Sequence, residues 1–96
     1  MTQGRFISIE GGEGAGKSTQ IALLAERLKA LGLSVDLTRE PGGTEGAEAI
    51  RQLLLGGGDD RWGPSVEAML FAAARSDHVE KRIKPAVTQG IWVISD

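Results

Sequence analysis

The chain has 96 residues, of which 25% are charged and 41% are hydrophobic, and its formal net charge is −2. This composition indicates one small globular domain, and the weak negative charge gives no electrostatic basis for binding nucleic acid or an anionic membrane. Cysteine is absent and no apolar run is long enough to cross a bilayer, so we expect a cytoplasmic protein without disulfides, thiol chemistry, nucleic-acid partners or membrane partners.

The first part of the sequence predicts a strand, a glycine-rich loop and a helix. Residues 6–9 form a short β-type segment. Residues 17–31 predict a helix laid against a sheet, with Ile21, Leu24, Ala25, Leu28 and Leu31 on its inward face, and Gly32 follows as a C-cap. Between these elements, residues 11–18 match the pattern G-x-x-x-x-G-K-[ST]. The alternative is a glycine-rich turn with an incidental lysine, but the strand before the loop and the helix after it favour phosphate binding.

A loop of this pattern has a specific chemistry. Its backbone N–H groups and the positive end of the following helix dipole bind phosphate oxygens. Lys17 can reach the β- and γ-phosphates, and the Ser18 hydroxyl can ligate Mg²⁺. We therefore predict a site for a nucleoside triphosphate with Mg²⁺, formed by Gly11, Gly12, Glu13, Gly14, Ala15, Gly16, Lys17, Ser18 and Thr19.

The rest of the chain continues the alternation of strands and helices. Residues 34–38 predict a second strand, and residues 45–55 predict a helix with Ala47, Ile50, Leu53 and Leu54 facing inward. Pro64 and Ser65 open a third predicted helix over about residues 66–83, before Pro85 breaks or kinks it. Residues 91–94 are a short apolar run, typical of a buried parallel strand.

This order of elements predicts the fold class. The sequence β-α-β-α-α-β without hairpin signals indicates an α/β fold of the P-loop NTPase type, in which helices flank a parallel sheet in three layers. Because the chain stops directly after its third predicted strand, we expect residues 1–96 to be the N-terminal part of a single longer domain, truncated after that strand.

Two further segments are candidates for the rim of a binding site. Asp96 follows four apolar residues, as a Walker B aspartate does, and a carboxylate there can hold Mg²⁺ or its waters; many strands also end in Asp for turn reasons. Arg39, Glu40 and Pro41 end the second predicted strand, where open α/β sheets bind ligands. An ordinary turn with solvated charges is the alternative for this segment.

Phe71 and Arg75 lie four residues apart on the third predicted helix, so they share one face. An aromatic ring beside a guanidinium could stack on a nucleobase and bind its edge. The alternative is Phe71 in the core with Arg75 at its solvent margin. His78, the only histidine, is expected at the surface or at a boundary and is assigned no role.

Four separated motifs in the same order give the sequence a family resemblance. They are the loop at residues 11–18, the REPGGT segment at 39–44, LFAAAR at 70–75 and VISD at 93–96. With these motifs, essentially the whole chain resembles the bacterial-type thymidylate kinases. The resemblance implies an ATP-dependent nucleoside monophosphate kinase, longer than this chain and usually homodimeric, that transfers the ATP γ-phosphoryl group to dTMP with Mg²⁺.

The resemblance also implies roles for individual residues. Lys17 and Ser18 would bind the ATP phosphates and Mg²⁺. Glu13 would recognise the 3′-hydroxyl of dTMP. Phe71 would stack on thymine while Arg75 binds its edge. These roles favour the ligand-binding interpretation of Phe71 and Arg75 over the core interpretation.

The acceptor phosphate and the metal involve a second set of residues. The resemblance implies that Arg39, and with it Arg51, faces the dTMP phosphate. Glu40 and Pro41 would line the same pocket. Asp96, the candidate metal ligand, would open the family's Asp-Arg motif, whose arginine binds the dTMP phosphate. Lys17, Arg39 and Asp96 are therefore the expected catalytic residues.

Gly14 identifies the subtype that the resemblance implies. Members of the eukaryotic type place an arginine at this position, directly after the acidic loop residue, whereas bacterial members use arginines of a mobile lid. The lid lies beyond residue 96 in the family, so we expect the 96-residue chain alone to have little activity. The alternative functions are another P-loop small-molecule or nucleotide kinase, or a P-loop ATPase or switch protein.

Overall fold

A computed structural model of the chain describes residues 3–11, 16–57 and 61–96. In chain order the elements are β1 (Phe6–Ser8), α1 (Lys17–Ala30), β2 (Val35–Thr38), α2 (Glu45–Leu55), α3 (Pro64–His78), a π-helical turn (Val79–Ile83), α4 (Lys84–Thr88) and β3 (Trp92–Ser95). They belong to two compact units, one made of Met1–Thr38 with Ile83–Asp96 and the other of Arg39–Arg82. In the described part of the chain, no helix is both long enough and apolar enough to span a membrane.

The first unit contains a parallel sheet, as the sequence predicts. Its strand order is β1-β3-β2, with Phe6 opposite Val93 and Val35 opposite Trp92. The last strand of the chain is therefore the central one, and its residues Val93 and Ile94 are fully buried. This burial explains the apolar run that marks β3 in the sequence.

Helix α1 packs on this sheet through the predicted apolar stripe. Ala25 and Leu28 are buried with Ile94, and Ile21 and Leu24 pack beside them. The inward prediction for Leu31 is wrong, since this residue is 70% exposed. The helix ends at Ala30, and Gly32 N–H donates to the Lys29 carbonyl while Leu33 N–H donates to the Leu28 carbonyl. This Schellman-type ending turns Leu31 outward and brings Leu33 onto the core in its place.

The second unit pairs α2 with α3. Helix α2 has the predicted bounds and begins after Thr44, whose Oγ1 accepts a hydrogen bond from the Ala47 N–H at 3.1 Å. Ala47 is fully buried as expected, whereas Leu53 is 42% exposed, contrary to the prediction.

The helix that follows starts where Pro64 and Ser65 predict and differs from its prediction only at its other end. It begins at Pro64, and the chain stays helical past Pro85, first in the π-helical turn and then in α4. The α-helix is therefore interrupted ahead of Pro85, as predicted, but the chain does not leave the helical conformation there. Pro85 lies in the first turn of α4, where a missing N–H costs little, because the N–H groups of a first turn have no partner within their helix.

Candidate functional site

In the first unit, Lys17 and Asp96 meet at the carboxyl end of the sheet. Lys17 is the first residue of α1, and Asp96 directly follows the central strand β3. The Ile9 N–H donates to the Ser95 carbonyl at 2.9 Å, and the Asp96 N–H donates to the Thr38 carbonyl at 3.1 Å. These hydrogen bonds join the carboxyl ends of β1 and β2 to the end of β3, next to Asp96. The Lys17 Nζ forms an ion pair with the Asp96 carboxylate, and both side chains remain partly exposed.

The predicted phosphate loop is only partly described. Gly12, Glu13, Gly14 and Ala15 lie outside the described residues, and Gly11 and Gly16 flank them. Gly16 is the N-cap of α1 with φ of 75°, in the left-handed region that favours glycine. This conformation explains the glycine that the motif requires just before Lys17.

Ser18 and Thr19 lie in the first turn of α1 and are exposed. Together with Ala22, Leu23 and Glu26 they line a shallow depression on that helix. Among the described residues, no three His, Cys, Asp or Glu side chains form a metal-binding group. The Ser18 hydroxyl and the Asp96 carboxylate are hard oxygen donors, which suit Mg²⁺ when phosphate oxygens and waters complete its coordination.

The second unit contains a cleft of about 780 Å³. Glu40 and Pro41 line one part of it, and Phe71 and Arg75 of α3 line another. Phe71 is 47% exposed, and 71% of the Arg75 side chain is exposed. The alternative that buries Phe71 in the core is therefore wrong. The structure brings four of the predicted acceptor-site residues to one cavity.

Glu40 connects this cleft to the interior of the unit. Its Oε1 accepts hydrogen bonds from Arg75, at 2.7 Å from Nη2 and 2.9 Å from Nε, and its Oε2 lies 2.9 Å from His78 Nδ1. Burial by itself raises the pKa of Glu40, but the hydrogen bonds from His78 and Arg75 outweigh it and hold this pKa below its usual value. Glu40 is therefore a carboxylate that only accepts hydrogen bonds, so His78 Nδ1 carries the proton that it donates.

His78 is a residue that the sequence reasoning misplaced. The histidine is fully buried, not at the surface or at a boundary. It lies three residues after Arg75 and seven after Phe71, spacings that place all three residues on one side of α3. That spacing is the sequence signal that could have linked His78 to the site.

Arg39 does not line the cleft. Its Nη2 lies 2.6 Å from Glu48 Oε1, and its Nε donates to Glu48 Oε2 at 3.3 Å. Glu48 Oε2 also accepts from the Gly43 N–H at 2.8 Å. The hydrogen bonds from Arg39 and Gly43 lower the pKa of Glu48 from 4.5 to about 2. Glu48 was not predicted as a site residue, and it is the partner that orients Arg39.

Other contacts hold the segment over residues 39–44 by its backbone. Arg51 Nη1 donates to the Pro41 carbonyl at 2.9 Å, and Arg82 Nη1 donates to the Gly43 carbonyl at 2.8 Å. Gly42 is buried with φ of 141°, and a Cβ at this position would collide with the Glu48 carboxylate. An ordinary turn with solvated charges, the alternative for this segment, does not describe it, because the Arg39 and Glu40 charges are paired and the Pro41 and Gly43 carbonyls accept side-chain hydrogen bonds.

The chain has the features of the P-loop class of nucleotide-binding folds. Its sheet is parallel, the motif at residues 11–18 follows the first strand, and Lys17 and Ser18 begin the next helix. The thymidylate kinase family model matches residues 9–96. The chain therefore belongs to the thymidylate kinase family.

Individual relatives agree with this assignment. The chain is 62% identical to the thymidylate kinase of Caulobacter vibrioides over 96 residues, and 62% identical to that of Rhizorhabdus wittichii over 93 residues. These matches cover 100% and 97% of this chain but only 46% and 45% of the relatives. The chain thus spans slightly less than half the length of these curated relatives.

Solved structures show the same fold. The crystal structure of thymidylate kinase from Ehrlichia chaffeensis superposes with a TM-score of 0.80 at 40% identity, covering 97% of this chain and 54% of the other. Thymidylate kinase from Candida albicans superposes with a TM-score of 0.75 at 27% identity, covering 98% of this chain and 40% of the other. The predicted α/β fold with its parallel sheet is confirmed.

Proposed function

We propose that the protein is an ATP-dependent thymidylate kinase, which transfers the γ-phosphoryl group of ATP to the 5′-phosphate of dTMP and gives dTDP and ADP. The observation that carries this proposal is the cleft of the second unit, where the exposed Phe71 ring and the Arg75 guanidinium lie beside Glu40 and Pro41. An open aromatic face stacks on a base, and a guanidinium donates hydrogen bonds to acceptor atoms on the base edge.

The first unit would bind ATP. Backbone N–H groups of the loop and the N-terminus of α1 are suited to hold the phosphates, with Lys17 as the cation that reaches the β- and γ-phosphates. Ser18 and Asp96 would hold Mg²⁺, which would supply positive charge to offset the negative charge of the phosphates. The ion pair between Lys17 and Asp96 supports this assignment, because it brings the phosphate-binding cation and the metal-binding anion to the same place.

The second unit would bind dTMP. Phe71 stacks on thymine, Arg75 binds the base edge, and Arg39 and Arg51 supply positive charge for the acceptor phosphate. Both guanidinium groups are held at the segment over residues 39–44, Arg39 by Glu48 and Arg51 by the Pro41 carbonyl. Glu13, which lies outside the described residues, is proposed for the 3′-hydroxyl.

Phosphoryl transfer of this kind depends on positioning and on neutralisation of charge rather than on covalent catalysis. The acceptor is already an anionic phosphate, so the residues named here need to orient it and need not supply a strong base. We further propose a cytoplasmic, homodimeric enzyme.

A steady-state assay of ADP formation on the natural full-length protein tests the function. We expect Mg²⁺-dependent ADP release that requires dTMP, with stoichiometric dTDP identified by chromatography. Other nucleoside monophosphates serve as controls for the acceptor. A different preferred acceptor would identify another nucleotide kinase, and ADP release without any acceptor would identify an ATPase; either result overturns the proposal.

A further inference from the structure

We propose that His78 is a positioning residue of the acceptor site, which acts through Glu40 to hold the Arg75 guanidinium in the orientation that binds the nucleobase edge. This inference rests on the proposed function. His78 itself does not line the cleft, so it would act on the nucleotide only through its neighbours.

The three side chains form a path from the interior to the solvent. His78 is fully buried, 18% of the Glu40 side chain is exposed, and 71% of the Arg75 side chain is exposed. Each carboxylate oxygen of Glu40 has a different partner, with Oε2 at 2.9 Å from His78 and Oε1 at 2.7 Å from Arg75. A rotation of the carboxylate would therefore disturb both contacts together.

The buried end of this path requires a hydrogen-bond donor. A carboxylate oxygen without a partner in a partly buried place is destabilised, and an apolar side chain of similar size at position 78 would leave Oε2 in that state. A histidine carries an N–H for Glu40 while its ring packs in the interior. This accounts for a fully buried polar side chain on α3.

Arg75, at the exposed end of this path, is the side chain whose orientation must be constrained. In the part of the chain that the structure describes, Glu40 is the only hydrogen-bond partner of the Arg75 side chain. An arginine that is largely exposed has many rotamers, and fixing one of them before the ligand arrives lowers the entropy that binding must overcome. Glu40 engages the Nε and Nη2 groups, so the Nη1 group remains for a ligand.

Variants at position 78 test the inference in the natural full-length protein. Asn can place an amide N–H near the position of Nδ1, whereas Gln places its amide near Nε2 and Leu has no donor. We expect His78→Asn to retain the wild-type KM for dTMP within about threefold, and His78→Gln and His78→Leu to raise it about tenfold, because a hydrogen bond to a charged group is lost. The KM for ATP should stay within about twofold in all three variants.

A double-mutant cycle with Arg75→Ala separates positioning from a merely structural role. If His78 acts through Arg75, His78→Gln should not raise the KM for dTMP further once Arg75 is truncated. An equal rise in both backgrounds, or equal KM values for the Asn and Gln variants, would overturn the inference. Should His78→Leu fail to fold, as judged by circular dichroism, the Asn and Gln pair decides.

The same assay separates the two proposals. A wild-type protein that does not phosphorylate dTMP removes the proposed function, and the inference falls with it. A wild-type protein that phosphorylates dTMP, together with a His78→Gln variant of unchanged KM, removes the inference alone.

Discussion

Arg39 and Glu48 are joined by two hydrogen bonds, from Nη2 to Oε1 at 2.6 Å and from Nε to Oε2 at 3.3 Å. The same carboxylate accepts the Gly43 N–H, so one acidic side chain fixes both a cationic side chain and the backbone of the segment over residues 39–44. Glu48 can do this because the Thr44 cap places it in the first turn of α2, beside that segment.

The low pKa of Glu48 makes stability depend on pH. Hydrogen bonds from Arg39 and Gly43 lower this pKa from 4.5 to about 2. A group whose pKa is lower in the folded state stabilises the protein above its unfolded pKa, and this stabilisation is lost as the pH falls through the window down to the folded value. We therefore expect Glu48→Gln to reduce the urea midpoint at neutral pH, and to show a smaller further loss than the wild type between about pH 5 and pH 2.

Glu67→Gln, at an exposed position in the first turn of α3, is the control for this titration. Its urea midpoint should follow the wild-type pH dependence closely. Parallel pH profiles for Glu48→Gln and the wild type would contradict the role of the Arg39–Glu48 pair.

Thr44 is expected to stabilise the second unit through its hydroxyl. Oγ1 accepts from the Ala47 N–H and donates to Asp77 of α3, so it caps α2 and links the two helices. Loss of an N-cap hydroxyl costs about 1 kcal/mol, and the lost bond to Asp77 adds to this. Thr44→Ala should lower the free energy of unfolding by at least about 1 kcal/mol in urea titrations. Thr44→Ser keeps the hydroxyl and is the matched control, so an equal loss in both variants would refute the assignment.

Phe71 is expected to determine affinity for dTMP. Stacking of one base on an aromatic side chain is worth about 1–3 kcal/mol, so Phe71→Ala should weaken dTMP binding about 5- to 150-fold in calorimetric titrations. ATP affinity should change little, because the ring lies in the cleft of the second unit. Met69→Ala, which removes another exposed apolar side chain of α3 that does not line this cleft, is the control. Similar losses for both nucleotides, or for both variants, would argue against stacking.

Asp96 is expected to affect the metal requirement. Removal of its charge should weaken the hold on Mg²⁺, and losses of about 10- to 100-fold are typical when a carboxylate near a metal is changed. Asp96→Asn should therefore raise the Mg²⁺ concentration at half-maximal activity by about this factor. Glu67→Gln, an exposed change in the first turn of α3, should leave the Mg²⁺ titration unaltered. If the Mg²⁺ titration is unaltered for Asp96→Asn as well, Asp96 does not bind the metal, and its ion pair with Lys17 is its only role here.

Local patterns in the sequence were sufficient to predict most of the fold. The helical spacing of Ala25 and Leu28 identified α1, and the apolar run before Asp96 identified the central strand. Pro85 shows the limit of such patterns. A proline stops a helix only where the missing N–H and the ring conflict with the preceding turn, and a π-helical turn followed by a new first turn avoids that conflict.

By itself, the sequence determined the class of fold, the position of the phosphate loop and the family, because these depend on spacings within short segments. Only the tertiary structure decided how the acceptor-site residues are held. Glu40 contacts Arg75 and His78 across 35 and 38 residues, and Arg39 contacts Glu48 across nine. Such pairs form only once α2 and α3 have packed beside the segment over residues 39–44, and no periodicity along the chain encodes that approach. For the same reason His78, predicted to lie at the surface or a boundary, is buried as the donor to Glu40.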